Sequence, residues 1–337
     1  MNALRTGIIG CGRFAPRHVE RLAALEDVQL VAFCNRTSEK AIAFNQQYAD
    51  GQGQVYTDYE RMFEEADLDL VYICLPPFAH GNEVELACRH RVHFLIEKPI
   101  ALTMELARSM AERVRKSGVK SQVGFMFRHG EATLWLKQYM RDAGLTGQGL
   151  MTAGYFCNSL HSWWWRDRSK SGGQLVEQII HIVDLARFFL GEATRVYAMQ
   201  ENLFHRDVPD YTAEDASGTV IRFESGGMAV LTASNGAIPN RWDSEMRVIL
   251  PGLTADFQDA NHAAFHHTGQ AWPATTTVAA EKDIYLAETL DLIAAIRDDR
   301  PTTVPIEEGV RSLEVVLAAA QSAAQDTPVD IPLSKTA

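Results

Sequence analysis

With 337 residues the chain is long for a single hydrophobic core, and two domains are expected. Its 46% apolar and 22% charged residues are those of an ordinary globular protein, without low-complexity stretches or internal repeats. A formal net charge of -11 argues against nucleic acid or an anionic membrane as partner, because phosphate surfaces reward clustered Lys and Arg.

The opening residues Met1-Asn2-Ala3-Leu4-Arg5 carry no long apolar stretch, so a signal peptide is not expected. No run approaches the ~18 apolar residues of a membrane span. The five cysteines, Cys11, Cys34, Cys74, Cys88 and Cys157, are scattered and form no CxxC pair. Reduced thiols in a cytoplasmic protein are the expectation.

In chain order, the first 125 residues alternate strand and helix patterns. Strand-like Leu4 to Gly10 leads into a helix from Pro16 to Leu25. Val28 to Cys34 is a second strand, followed by a helix through Ala41 to Tyr48. A short strand near Val55-Tyr56 and a helix around Tyr59 to Ala66 come next, then the fully apolar strand Leu70 to Cys74. A helix from His80 to Arg91, strand Val92 to Ile96, helix Thr103 to Ser117 and strand Ser121 to Phe125 complete the set. Near-continuous apolar strands separated by helices predict a parallel sheet covered on both faces.

Beyond a domain boundary expected near Gly124 to Arg128, the pattern changes. A helix around Glu131 to Arg141 precedes strand-like segments at Leu150 to Phe156, Thr194 to Gln200, Ala216 to Phe223, Gly227 to Ser234 and Ser244 to Leu250. Ser225-Gly226-Gly227 suits a hairpin turn. One long helix, Gln174 to Leu190, interrupts the strands, and helices near Asp283 to Arg297 and Glu307 to Gln325 close the chain. The pattern predicts an α+β domain on a mostly antiparallel sheet. The expected division is residues 1–125 for cofactor and 126–337 for substrate binding and oligomerisation.

Gly10-x-Gly12-x-x-Ala15 fits the dinucleotide fingerprint G-x-G-x-x-G/A, and it sits between a strand and a helix. Gly10 permits the tight turn, Gly12 lets the backbone approach a pyrophosphate, and Ala15 allows close helix–strand packing. Arg13 and Phe14 belong to the same turn. At the end of the second strand, NAD sites usually carry an Asp or Glu for the adenosine ribose. This chain has Asn35-Arg36-Thr37-Ser38 there. Arg36 can pair with a 2′-phosphate while Thr37 or Ser38 donates, and Asn35 can serve NAD through its amide. The choice leans to NADP and leaves NAD open.

Lys98 follows a buried strand directly, at the carboxyl edge where ligands bind in open α/β folds. Partial burial of a lysine favours its neutral form, so Lys98 can exchange a proton with a hydroxyl. Glu97-Lys98 as a plain surface pair is the structural alternative. In the second domain Glu177, His181 and Asp184 are spaced four and three apart, on one face of the expected helix. A histidine flanked by carboxylates is an acid/base or orienting arrangement, or simply one satisfied by its helix neighbours. The preceding segment, His161-Ser162-Trp163-Trp164-Trp165-Arg166-Asp167-Arg168, holds three tryptophans that cannot all face one core. Some of them are expected to line a cleft against sugar or nicotinamide. His262, His266 and His267 have metal-like spacing but no completing acidic or thiol neighbour, so no metal site is expected.

In their order these motifs resemble the Gfo/Idh/MocA family of NAD(P)-dependent oxidoreductases. The resemblance rests on Gly7-Ile8-Ile9-Gly10-Cys11-Gly12, on Tyr72-Ile73-Cys74-Leu75-Pro76-Pro77-Phe78-Ala79-His80, on Glu97-Lys98-Pro99 and on Ser171 to Asp184. It implies an N-terminal Rossmann domain and a C-terminal domain on a large, mostly antiparallel sheet that commonly makes dimer or tetramer contacts. It also implies hydride transfer between nicotinamide and a secondary alcohol or ketone of a sugar, inositol or polyol. By that resemblance Lys98 is the catalytic lysine and His181 the family histidine, four residues after an acidic position that is Glu177 here and usually Asp. Leu75, Pro76 and His80 fall in the loop that passes the ribose and nicotinamide, with Glu97 beside them. Arg128, Trp164, Arg166, Asp167 and Asp184 are candidates for substrate contacts. The active site is expected in the cleft between the domains. The rival functions are glycoside cleavage through transient sugar oxidation, and a non-catalytic NAD(P)-binding sensor, which the presence of both Lys98 and His181 disfavours.

Overall fold

The computed structural model describes residues 3–160, 162–269 and 274–333. In chain order the first elements are β1 (Leu4–Ile9), α1 (Pro16–Ala23), β2 (Val28–Cys34), α2 (Ser38–Ala49), β3 (Gln54–Tyr56), α3 (Tyr59–Glu65) and β4 (Leu70–Ile73). They continue with α4 (Glu83–His90), β5 (His93–Ile96), α5 (Met104–Ser117), β6 (Ser121–Val123), α6 (Glu131–Asp142) and β7 (Leu150–Asn158). Four helices follow: α7 (Trp163–Arg166), α8 (Arg168–Ser171), α9 (Gln174–Glu177) and α10 (Ile180–Leu190). The remainder is β8 (Ala193–Glu201), β9 (Ala216–Phe223), β10 (Met228–Pro239), β11 (Met246–Leu250), β12 (Leu253–Phe257), β13 (His262–His267), β14 (Ala274–Ala279), α11 (Ile284–Arg297), α12 (Ile306–Gln325) and β15 (Val329–Asp330).

The chain forms two compact units. One comprises residues 1–125 and 284–310, the other 126–283 and 311–337. The first is built on a six-stranded sheet in the order β3-β2-β1-β4-β5-β6, every pair parallel. This is the doubly wound dinucleotide order, with its switch point between β1 and β4. β4 is buried at every position and β5 at all but its first, as strands covered on both faces require. Local signals set the helix ends. Asp58 accepts from the Glu60 N–H to start α3, and Thr103 accepts from Leu106 to start α5. The chain does not divide once near residue 125, because α11 returns to this unit. Leu292 of α11 packs in the core with Ile8, Val19, Leu22, Tyr72 and Leu95.

The second unit carries a nine-stranded sheet, ordered β14-β13-β12-β11-β7-β10-β9-β8-β15. Only β7 and β10 pair parallel; the other neighbours are antiparallel. β9, β10 and β11 alternate buried and exposed positions, as a sheet with one packed face should. The turn at residues 225–227 forms as expected, with Gly226 at φ 83°. Sequence patterning finds five of these strands and misses β12 to β15. His262-Ala263-Ala264-Phe265-His266-His267 has little β-branched content, and its strand comes from pairing with β12 and β14. The histidine spacing is thus a strand surface. His262 bonds Asp259, His266 bonds Thr275 and His267 bonds Thr276. No metal-holding group of His, Cys, Asp or Glu occurs among the described residues, and no helix there is long and apolar enough to cross a membrane.

Candidate active site

The glycine turn joins β1 to α1. Gly10 has φ 93°, and a Cβ there would lie 2.5 Å from the Cys74 carbonyl oxygen, so only glycine fits beside the end of β4. A Cβ on Gly12 would meet nothing within 4 Å, which leaves that backbone open to a phosphate group. Ala15 is fully buried where α1 begins, and no side chain caps that helix. The Cys11 N–H donates to Asn35 Oδ1 at 3.2 Å, and Asn35 Nδ2 donates to the Thr37 carbonyl at 3.0 Å. Asn35 thereby ties the turn to the end of β2. Arg13, Phe14, Arg36 and Thr37 are exposed. Burial pushes the Cys11 and Cys34 thiols up to about 12, so neither is a nucleophile at neutral pH.

Beside β4, the segment Leu75-Pro76 is partly buried and leads to His80, whose Nδ1 lies 2.6 Å from Glu83 Oε1. Burial pushes the Glu83 carboxyl up, but His80 and the Gly81 N–H outweigh it and hold the group below its ordinary value. His80 Nε2 is buried and has no hydrogen-bond partner among the described residues. An orphaned nitrogen here and the open backbone at Gly12 both fit a dinucleotide lying along this edge.

Lys98 follows β5 at the same carboxyl edge and is partly buried. Its neighbour Glu97 points inward. Glu97 Oε1 lies 2.6 Å from His18 Nε2, and Oε2 accepts the Lys98 N–H at 3.2 Å. His18 is fully buried, with Phe14, Tyr72 and Tyr285 rings around it. A Cβ on Gly124 would lie 2.8 Å from Glu97 Oε2, so glycine there leaves room for the carboxylate.

In the second unit, His181 stands in the first turn of α10, 5% exposed, with ring centroids of Phe127 at 5.3 Å and Tyr155 at 6.5 Å. Tyr155 in turn meets the exposed Trp242 at 5.9 Å. Glu177 Oε2 accepts from Trp165 Nε1 at 2.7 Å. Gly173 has φ 92°, and a Cβ there would strike Glu214 Oε2 at 2.2 Å. Burial pushes the Glu214 carboxyl up against the opposing pull of Arg168. Asp184 is held by Arg128 through two bonds of 2.7 Å and accepts from Ser312 at 2.9 Å.

Residues 4–125 match the model of an oxidoreductase family with an NAD-binding Rossmann fold, and residues 150–331 match the C-terminal α/β domain of the same family. The chain belongs to the Gfo/Idh/MocA oxidoreductase family. An uncharacterised oxidoreductase of Bacillus subtilis, YrbE, is 26% identical, with 97% of this chain and 96% of that protein covered. The D-glucoside 3-dehydrogenase of Escherichia coli is 25% identical, with 97% of each covered. A solved levoglucosan dehydrogenase in complex with NADH and levoglucosan superposes with TM-score 0.89 at 20% identity, over 98% of this chain and all of that one.

Within this Gfo/Idh/MocA chain several expected site residues hold the fold instead. The helix expected over 174–190 divides at Gln178-Ile179 into α9, which carries Glu177, and α10, which carries His181. Arg128 and Asp184 are 3% and 1% exposed and form a buried bidentate pair. Asp167 caps α8, accepting from Ser169 and Lys170. Arg166 Nε donates to the Leu160 carbonyl at 2.6 Å. Of the tryptophans, Trp165 is buried with Tyr211 and Ala213, Trp164 packs against that cluster, and Trp163 is 62% exposed. His161 lies outside the described residues. Glu97 is expected at the cofactor, yet its carboxylate faces His18. Sequence reasoning misses His18, Tyr155, Trp242 and Glu214. Only His18 left a trace, as a histidine on the apolar side of α1 between Ala15, Val19 and Leu22.

Proposed function

We propose that this oxidoreductase interconverts a secondary alcohol and a ketone of a sugar, an inositol or a related polyol, with NADP ahead of NAD as hydride carrier. Lys98 carries the assignment: a partly buried amine at the carboxyl edge of β5, with its loop pinned through Glu97 to buried His18. Gly10, Gly12 and Arg13 hold the pyrophosphate, and Leu75, Pro76 and His80 the nicotinamide ribose. Exposed Arg36 and Thr37, with no carboxylate at the end of β2, favour a 2′-phosphate.

When bound, the nicotinamide takes hydride from the carbinol carbon or returns it. Lys98 Nζ exchanges the hydroxyl proton and stabilises the oxygen as it becomes a carbonyl, and His181 is the acid/base group proposed in the second unit. Glu177 acts at a remove, fixing Trp165. Tyr155 and Trp242 offer aromatic faces to the CH surfaces of a ring substrate. The names of relatives support the substrate class: D-glucoside 3-dehydrogenase, inositol 2-dehydrogenase and levoglucosan dehydrogenase. A homodimer or homotetramer belongs to the same proposal. Met199, Val220, Met228 and Ile249 are exposed, and the strand registers place them on one face of the nine-stranded sheet.

The test is a panel of sugars, inositols and sugar acids run with NADP and NAD in parallel, following reduced nicotinamide and analysing products. Accumulating reduced cofactor with at least one polyol, faster with NADP, is the expected result. Released aglycone at constant cofactor, or no turnover across the panel despite cofactor binding, sinks the assignment.

A further inference from the structure

Beneath the Lys98 loop lies a carboxyl group that the proposed chemistry does not use. Glu288 of α11 is fully buried, and both of its side-chain oxygens lack a hydrogen-bond partner among the described residues. Its helix is fastened in place on either side. Tyr72 donates to Thr289 Oγ1 at 3.1 Å, and Gln122 Nε2 donates to the Glu288 carbonyl at 3.3 Å and to Asp291 Oδ2 at 3.3 Å. Glu288 therefore cannot turn outward to find water.

The charged and titratable groups facing this position give it no cation. From the end of β5 it feels Glu97, and from its own helix Asp291. Tyr72 and Cys74, from β4 and the loop after it, are both sensitive to its charge. Tyr285, one turn earlier in α11, is pushed up to about 12 by burial, and the Arg17 and Arg21 guanidinium groups lie over its ring. His18 of α1 is engaged with Glu97. A carboxylate in a dry site without donors is costly, and a second carboxylate nearby makes it more so. Burial first, then Glu97 and Asp291, push Glu288 well above the ordinary carboxyl range.

We propose that Glu288 is a positioning residue that stays a neutral carboxylic acid and so leaves Glu97 free to hold both His18 and the Lys98 N–H. Two charged carboxylates close together would repel, and Glu97 Oε2 carries the 3.2 Å bond to Lys98. Neutral Glu288 removes that repulsion. The role in catalysis rests on the assignment of Lys98; the protonation state does not.

Two measurements on the full chain separate these. Infrared difference spectra of wild type against Glu288→Gln, recorded without substrate, should show the carbonyl stretch of a protonated carboxylic acid at neutral pH, absent from the variant. If that band is missing in wild type, the proposal is overturned. For positioning, the readout is the pH profile: wild type should lose kcat at alkaline pH with KM little changed, as ionising Glu288 displaces the reacting group. Glu288→Gln and Glu288→Leu, neither able to ionise, should both abolish that alkaline fall. A folded Gln or Leu variant that keeps it contradicts the neutral-acid role. If Lys98→Met is fully active while the band is present, the Lys98 assignment fails and the protonation of Glu288 stands.

Discussion

Two buried acidic clusters, one in each unit, are stabilised in opposite ways. Asp184 is met by a guanidinium on two parallel bonds, a serine hydroxyl and a second arginine, Arg187, at 3.8 Å. Glu97 has no arginine. It is held by an imidazole and a backbone N–H, and its charge helps push the carboxyl of Glu288 up. Arginine does not titrate at working pH, so the Asp184 cluster is a fixed strut. Glu288 is a titrating carboxyl, pushed well above its ordinary range by burial, so the cluster around it can respond to pH. The fixed arrangement braces α10, where His181 stands, and the responsive one sits under Lys98.

The largest effect separating the two is kinetic. Lys98→Met should lower kcat by ~10²–10⁴ while cofactor binding, followed by nicotinamide fluorescence, stays within about threefold. Near-wild-type turnover would remove Lys98 from the chemistry. Asp184→Ala should act on stability instead, costing about 3–5 kcal/mol in denaturant unfolding because the buried Arg128 loses its bidentate carboxylate. A loss below about 1 kcal/mol would mean that the pair is not the strut described. Gly124→Ala pushes a methyl to 2.8 Å from Glu97 Oε2 and should cost about 1–3 kcal/mol. The same variant should reduce kcat, since the displaced group carries the Lys98 N–H.

The smallest effect is in the pH dependence of stability. Glu288 is raised in the folded chain, so between the ordinary carboxyl pKa and its folded value the native state binds more protons than the unfolded one. Its contribution is therefore full at pH below the ordinary value and is lost as pH rises through the folded one. Wild type should lose stability relative to Glu288→Gln across that range, by at most about 1.4 kcal/mol per pH unit. A difference that is flat with pH would show that Glu288 is not shifted.

The contrast also shows what a sequence can reveal. The β1 turn, the buried strand β4 and the position of Lys98 after β5 were legible because local rules act there: glycine for positive φ, apolar runs for buried strands. The Arg128–Asp184 pair was not, since its partners are 56 residues apart and nothing local distinguishes a charge meant for substrate from one meant for another charge. The break between α9 and α10 was hidden because no glycine or proline marks it between Gln174 and Leu190. Glu288 left no signal, because helix α11 reads as an ordinary amphipathic closing segment until its return to the first unit is seen. Strand β13 owes its form to ladder partners rather than to composition.

The most direct test of the central claim follows the hydride itself. A polyol that turns over in the panel is prepared with deuterium on its reacting carbinol carbon and incubated with the wild-type chain and oxidised cofactor. Deuterium at C4 of the reduced nicotinamide, with a rate lowered by the isotope, is the predicted result. Turnover that leaves the cofactor unlabelled, with the deuterium retained in product or lost to water, would contradict it.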